Sequence, residues 1–398
     1  MDLSYSQEYR SFRDQVRAFL DDGWPLAGTD GTPPRSEQVA LFRRRAIERG
    51  YLGRSVPRQY GGSGQEPDAL KATIIREEFA RAKAPADVRG IGPSMLVPTL
   101  LEKGTEWQKD KFVPPTVRGE VIWCQGYSEP GSGSDLASLQ TKGELVGDEW
   151  VINGQKIWTS GAQHADYMFC LTRTEPDAPK HAGISYLLID MKQPGIDVQP
   201  LRQITGAATF NQVFLTDVRT PADWIVGKRG EGWLVSRSTL KHERNSIGNA
   251  AQSLHLFGRL VELAQRVKIN GAPAIEDIAI RQRLIEIEGY VRAHEYSGYR
   301  QLTRSANERP PGAVGLMNKL VGTNISQEIG KLAYDLIGDV GLTEPRDYIG
   351  RESPERGWIG QWMGSLGGAI AGGTANIQRN IIAERGLGLP RDAAAQRS

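Results

Sequence analysis

The hydrophobic pattern of this chain changes its period twice, and that change limits the folds the chain can adopt. Up to residue 119, apolar residues recur at helical spacing, as in "EYRSFRDQVRAFL" and "LKATIIREEFARAK". Between 120 and 229, short β-rich runs follow one another too closely for intervening helices, which favours a small antiparallel sheet or barrel. The helical period returns at residue 230. The pattern therefore predicts an α+β protein with domains at 1–119, 120–229 and 230–398.

An Asn–Gly pair lies inside the β-rich region. The segment "EWVINGQKIWTSG" places Asn153 and Gly154 between two strand-like runs. Both residue types tolerate the positive φ angles that a two-residue hairpin turn requires. The sequence therefore predicts a hairpin that turns at Asn153–Gly154.

Composition removes several classes of function. The 398 residues carry a formal net charge of +2, and the basic residues are scattered, so neither nucleic acid nor an anionic membrane surface is an expected partner. Cys124 and Cys170 are too far apart for a CxxC motif and too few for a disulfide framework. No signal-peptide core and no run of ~18 apolar residues is present. These features predict a cytoplasmic protein without membrane spans.

Familiar catalytic motifs do not account for the chain. His242–Glu243 begins like HExxH, but Ser246 occupies the second ligand position, so no metal site is predicted. "EPGSGSD" lacks the strand–GxSxG–helix arrangement of an esterase nucleophile. "GSGSDL" has only two of the glycines of a dinucleotide-binding turn and precedes a hairpin.

Two polar segments remain, and each has two readings. "YSEPGSGSD" is rich in backbone N–H groups and hydroxyls that suit an anionic or polar ligand, although an ordinary polar turn has the same composition. "QKIWTSG" places Trp158 beside Thr159 and Ser160. This tryptophan is either a core residue or a stacking wall for a flat heterocycle.

Together these segments, in "YSEPGSGSDLASLQTKGELVGDEWVINGQKIWTSG", closely resemble the signature of the acyl-CoA dehydrogenase family. The resemblance extends to "GYLGRSVPRQYGG" near the N-terminus and to "GGTANIQRNIIAERGLGLPR" near the C-terminus. It implies an N-terminal helical domain, a middle antiparallel β-barrel domain and a C-terminal four-helix bundle. It also implies an FAD-dependent oxidoreductase of lipid β-oxidation, which removes hydrogen from the α and β carbons of an acyl-CoA and passes electrons to an electron-transfer flavoprotein.

The resemblance assigns roles to individual residues. The positions that match the family's cofactor contacts are Tyr127, Ser128, Ser134, Trp158, Thr159, Ser160, Thr374 and Asn376. Of these, Tyr127 and Ser128 match residues on one side of the flavin ring, and Trp158 matches a residue on the other side. Ser134 also matches the position that usually touches the CoA part of the substrate.

The position of the catalytic base departs from the common pattern. Many members carry a glutamate in Y-E-G-T before the last helix, but this chain reads A-G-G-T at 371–374. Gly372 can donate its backbone N–H to the thioester oxygen but cannot accept a proton.

A second acid is available on an earlier helix. Members that act on branched, long-chain or steroid side-chain thioesters place the base within L-x-x-E-R, which "LKHERNSIG" matches. The resemblance therefore implies Glu243 as the base, held in a dry cavity, with Arg244 as a substrate contact. The alternative is that Glu243 only pairs with His242 or Arg244 on a solvated face.

In the family, residues of one subunit bind the FAD diphosphate of its neighbour, and the matching positions of this chain are also altered. In the R-x-x-F-G pattern, Val267 stands at the arginine and Asn270 at the phenylalanine, and Asp335 replaces the glutamine of Q-x-x-G-G-x-G. Arg266 and Lys268, each one residue out of phase, are the alternative replacements for the arginine. These changes predict either a homo-oligomer with a weakened site or a hetero-oligomer in which a related chain supplies the residues that bind the diphosphate.

Two other functions are compatible with the same fold. The chain can be a non-catalytic partner subunit, or a flavoprotein acting on another acyl carrier. For the dehydrogenase, Ala371 and Gly372 leave space near the reactive carbons, which favours a branched or bulky acyl chain.

Overall fold

A computed structural model describes residues 5–24, 35–246, 250–307, 309, 312–339 and 356–390, with side chains except at 243–246 and 356. Two compact units are present, and each is considered by itself. The first consists of Met1–Gly131, Ala137–Val198 and Val213–Thr239, and the second of Ser132–Leu136, Gln199–Gln212 and Leu240–Ser398. The division of the sequence at residues 119 and 229 stays a prediction.

Five α-helices lie in the described part of the chain before the first strand. They are α1 (Gln7–Gly23), α2 (Arg35–Glu48), α3 (Ala69–Arg81), α4 (Val97–Lys103) and α5 (Glu106–Arg118). Asp68 caps α3 by accepting a hydrogen bond from the Lys71 N–H, and Thr105 closes a capping box on α5. The apolar face predicted for α1 is confirmed, since Val16 and Leu20 are fully buried.

Seven strands in the described region form one mixed sheet. They are β1 (Trp123–Gly126), β2 (Lys142–Val146), β3 (Glu149–Ser160), β4 (Tyr167–Arg173), β5 (Ile184–Asp190), β6 (Ile196–Leu201) and β7 (Phe210–Pro221). Neighbours follow the order β1-β4-β2-β3-β7-β6, and β5 pairs with β4. The pairs β2–β3 and β4–β5 are antiparallel, as predicted, whereas β4 is parallel to β1 and β2. Strand spacing predicts pairing between neighbours in sequence, but the β1–β4 pair spans an inserted hairpin.

The predicted hairpin turn at Asn153–Gly154 is wrong. β3 runs without interruption through both residues, and the hairpin turns at Gly147 and Asp148, where Val146 pairs with Glu149. Gly147 has φ +66°. Gly154 is needed for a different reason: a Cβ there would lie 2.5 Å from the Thr141 hydroxyl oxygen.

The second unit is mainly helical. It contains the end of α6 (Gly232–Ser246), followed by α7 (Ala250–Arg266), α8 (Ile278–Ala306), α9 (Gly312–Ile337), α10 (Arg356–Gly368) and α11 (Ala375–Ile381). A short hairpin, β8 (Lys268–Ile269) and β9 (Ala272–Pro273), follows α7. Its core includes Leu260, Leu263, Val291, Ile329 and Leu332, each fully buried. The α+β class and the order of helices, sheet and helices are confirmed. None of the helices in the described regions is long and apolar enough to cross a membrane.

Candidate active site

A buried ion pair joins the "YSEP" segment to strand β3. The Lys156 ammonium, which is fully buried, lies 2.8 Å from the carboxylate of Glu129, which is 8% exposed. The same ammonium donates to the Tyr127 carbonyl at 3.2 Å. The Glu129 carboxylate also accepts from the N–H groups of Gln140 and Thr141 at 2.6 and 2.9 Å. The pair therefore fixes the backbone that precedes and follows Ser128.

The charge state of Glu129 follows from these contacts. Burial raises the pKa of its carboxyl, but the Lys156 ammonium and the hydrogen-bond donors outweigh burial and hold the pKa below its ordinary value. Glu129 is therefore a carboxylate at neutral pH.

Neither member of the pair is among the predicted site residues, although the pattern of β3 carries a signal for Lys156. Trp150, Ile152 and Lys156 occupy alternate positions of β3, and all three are buried. A lysine in register with inward-facing apolar residues indicates a buried cation that needs an acid.

Trp158 is held in an unusual conformation. Its φ is +60°, rare for a large residue, and its side chain is 58% exposed. At this point the alternation of β3 shifts by one residue, because Thr159 is fully buried while Trp158 and Ser160 are exposed. The reading of Trp158 as a core residue is therefore wrong. The exposed indole, two residues beyond Lys156 on β3, presents a flat apolar surface that fits a flat heterocyclic ring.

The serines of "YSEPGSGSD" divide into two kinds. Ser132 is buried, and its hydroxyl donates to the carbonyls of Asp135 and Leu136 at 2.8 and 3.2 Å, so it closes the loop. Ser134 is exposed, and Ser128 is half-buried with its carbonyl accepting from the Ile157 N–H at 2.9 Å. Ser132 therefore fits the interpretation of this segment as a polar turn, because its hydroxyl is used within the loop and is not available to a ligand.

In the second unit, residues 371–374 form a tight turn before α11. Gly372 and Gly373 have φ of +60° and +93°, the region that favours glycine. No backbone carbonyl in the described regions accepts a hydrogen bond from either N–H. The Thr374 hydroxyl caps α11 by accepting from the Ile377 N–H at 3.3 Å. Asn376 is exposed and accepts from Arg379 at 3.2 Å. The turn thus offers two backbone donors.

Models of three protein domains match almost the whole chain. The acyl-CoA dehydrogenase N-terminal domain matches residues 6–120, the middle domain residues 124–218 and the C-terminal domain residues 230–387. The chain belongs to the acyl-CoA dehydrogenase family. The predicted resemblance is confirmed, and with it membership of a family of oxidoreductases that are flavoproteins.

Individual acyl-CoA dehydrogenases match over nearly their full length. Acyl-CoA dehydrogenase IpdE1 of Mycobacterium tuberculosis is 40% identical, covering 97% of this chain and 99% of that protein. Two solved structures each cover 98% of this chain and 100% of theirs. The ChsE4–ChsE5 complex of Mycobacterium tuberculosis has a TM-score of 0.76 at 29% identity. The Tcur3481–Tcur3483 steroid ACAD has a TM-score of 0.77 at 28% identity.

The dehydrogenase base predicted from the L-x-x-E-R pattern lies in α6. Glu243 and Arg244 are helical, but their side chains lie outside the described part of the structure, so their roles stay predictions. On the same helix, Lys241 is exposed and His242 is half-buried.

The altered diphosphate positions have local roles. Asn270 and Gly271, with φ of +52° and +85°, form the turn of the β8–β9 hairpin. Val267 packs against the core of the second unit. The Asp335 carboxylate lies 2.7 Å from the Arg283 guanidinium on α8. Asp335 is therefore neutralised by a cation of its own unit, and Val267 and Asn270 supply no positive charge.

Proposed function

We propose that this chain is an FAD-dependent acyl-CoA dehydrogenase that desaturates the α,β bond of an acyl-CoA thioester. The observation that carries this proposal is Trp158, whose exposed indole is held at positive φ next to a segment fixed by a buried ion pair. Tyr127, Ser128 and Trp158 would hold the flavin ring. FAD, when bound, supplies the hydride acceptor for the substrate's β-carbon.

The protein's own task is to remove a weakly acidic α-proton. Glu243 takes this proton, because residue 372, where many members carry the base, is glycine. Ser236 and Thr239 precede residue 243 on α6 by seven and four residues, and both are fully buried. A base for this proton needs a dry setting, because burial raises the pKa of a carboxyl group toward that of the substrate. The Gly372 N–H donates to the thioester oxygen and stabilises the negative charge that develops there.

Trp158→Ala tests the flavin-binding part of the proposal. We expect FAD affinity to fall about tenfold, since an aromatic stacking contact contributes about 0.5–1.5 kcal/mol. The thermal midpoint should be unchanged, because the side chain is 58% exposed. Tyr290→Ala, which removes a 61% exposed aromatic from α8, is the matched control. FAD titration of the apoprotein gives the affinity, and equal values for both variants would refute a stacking role.

The substrate is proposed to carry a branched or bulky acyl chain, with an electron-transfer flavoprotein as the acceptor. The glycine at 372 and the relation to a steroid ACAD support this choice. Flavin absorbance is to be followed after addition of butyryl-CoA, isovaleryl-CoA, palmitoyl-CoA and a steroid side-chain acyl-CoA. We expect bleaching to be fastest with a bulky thioester. Preference for butyryl-CoA would contradict the substrate class, and no bleaching with any thioester would contradict the function.

We further propose that the chain functions in the cytoplasm as a hetero-oligomer with a related chain. Support comes from the positions that bind the FAD diphosphate in the family pattern, where this chain has Val267, Asn270 and Asp335. The relation to the two-protein complex ChsE4–ChsE5 supports it as well. Purified alone, the protein should hold clearly less than one FAD per subunit, as measured by released flavin. Full occupancy without a partner would favour a homo-oligomer instead.

A further inference from the structure

Two buried side chains grip the turn that precedes α11. The Lys319 ammonium, on α9, donates a hydrogen bond to the Gly373 carbonyl. The Gln378 amide, on α11, donates to the carbonyls of Gly372 and Gly373 at 3.4 and 3.5 Å. Lys319 is 3% exposed and Gln378 is 2% exposed. Side chains from two different helices thus converge on two consecutive carbonyls.

Burying a lysine to hold a turn costs free energy. Lysine is rarely fully buried, because its charge loses hydration, and a neutral donor could satisfy a carbonyl at lower free energy. A charge-assisted hydrogen bond is stronger than a neutral one. The buried ammonium therefore holds the Gly373 carbonyl more strongly than a neutral donor would.

A hydrogen bond that fixes the direction of a backbone carbonyl also fixes the direction of the N–H group of the next residue. In a trans peptide the C=O and the following N–H point in opposite directions. Gln378, by holding the Gly372 carbonyl, directs the Gly373 N–H away from the grip. A Cβ at Gly373 would lie 2.8 Å from the Gln378 amide nitrogen, so glycine is required for this contact. Lys319, at the Gly373 carbonyl, fixes the next peptide in the same way, so the backbone on the C-terminal side of Gly372 is held by residues that need not touch the substrate.

We propose that Lys319 and Gln378 are positioning residues that hold the Gly372–Gly373 turn with its N–H groups presented to the thioester oxygen. This inference rests on the proposed dehydrogenase function. The negative charge on the thioester oxygen grows as the α-proton leaves, so misplaced donors weaken the transition state more than the bound substrate.

The test uses the FAD-loaded protein with Lys319→Met, Gln378→Met and the double variant. Lys331→Met, which alters an exposed lysine on the same helix, is the matched control. Each single variant should reduce the flavin-reduction rate at saturating acyl-CoA about 10- to 100-fold with little change in KM. The double variant should lose less than the product of the two single losses, because both act through one turn. Lys331→Met should match the wild type.

A second readout does not depend on turnover. 3-Thiaoctanoyl-CoA can lose its α-proton but is not a hydride donor, and its enolate gives a charge-transfer absorbance with oxidised flavin. We expect the pH midpoint of this absorbance to rise in Lys319→Met and Gln378→Met, since weaker donation to the oxygen disfavours the enolate. Thermal unfolding of each variant identifies any that are misfolded, and Gln378→Met serves if Lys319→Met fails to fold.

The outcomes separate the two proposals. A wild-type protein that binds FAD but shows neither bleaching nor a charge-transfer band refutes the dehydrogenase function, and the positioning roles with it. An active wild type whose two Met variants keep its rate and its pH midpoint refutes the positioning roles alone. A loss that scales only with the fraction of unfolded protein does so as well.

Discussion

Glu243→Gln is expected to slow flavin reduction by acyl-CoA about 10²- to 10⁴-fold, the range that a positioned general base contributes. Glutamine preserves the size and polarity of the side chain but cannot accept the α-proton. The FAD content and the thermal midpoint should stay close to those of the wild type. Single-turnover flavin absorbance with the best thioester of the panel measures the rate.

Glu384→Gln is the control for this substitution. Glu384 lies in the helical turn that follows α11, ten residues beyond Thr374, too far along the chain to replace the glutamate of the Y-E-G-T pattern. Its replacement should leave the rate unchanged. A near-normal rate in Glu243→Gln, or a large loss in Glu384→Gln, would show that the base has been wrongly assigned.

Glu129→Gln should lower the free energy of unfolding by about 3–5 kcal/mol, the range for leaving one partner of a buried ion pair uncompensated. Lys156 is fully buried and loses the carboxylate 2.8 Å from its ammonium. Because the same ammonium holds the Tyr127 carbonyl, FAD binding should weaken too. Urea unfolding monitored by circular dichroism gives the free energy.

Two further variants identify the cause of that loss. Glu120→Gln removes an exposed pair with Arg118 and should change the free energy of unfolding by no more than about 1 kcal/mol. Glu129→Gln combined with Lys156→Met removes both charges and should recover part of the stability. If the double variant were no more stable than Glu129→Gln alone, the uncompensated charge of Lys156 would not be the cause.

The same pair predicts a dependence on pH. The pKa of Glu129 is lower in the folded protein than its ordinary value of 4.5, because Lys156 and the backbone donors outweigh the effect of burial. Its stabilisation is therefore complete above the ordinary value and is lost as the pH falls through the folded pKa. In Glu129→Gln, this part of the acid destabilisation should be missing.

The order of helices, sheet and helices could be read from the sequence because periods of 3.6 and 2 residues are local properties. The segments of the flavin signature could also be found, since "YSEP" and "KIWTSG" are continuous in sequence. What each residue does within them could not. By sequence Trp158 is compatible with a core position, and only its φ of +60° and its exposure in the structure exclude that position.

The turns also show which features the sequence predicts and which only the tertiary structure determines. The chain has Asn–Gly pairs at 153–154 and at 270–271, with the same local preference for a hairpin. The second pair forms one, whereas Gly154 instead allows β3 to approach Thr141 closely. Neighbouring strands decided the outcome, because packing across a sheet outweighs the preference of two residues.

Sequence alone thus determined the family, the fold class and the segments in which to look for the site. Only the tertiary structure brought Lys156 to Glu129 across 27 positions and Lys319 to the Gly373 carbonyl across 54. Such contacts join residues far apart in the chain, and burial makes them strong by excluding water. The alternation of β3 marks Lys156 as an inward-facing residue, but local residue preference does not identify the partner of either lysine.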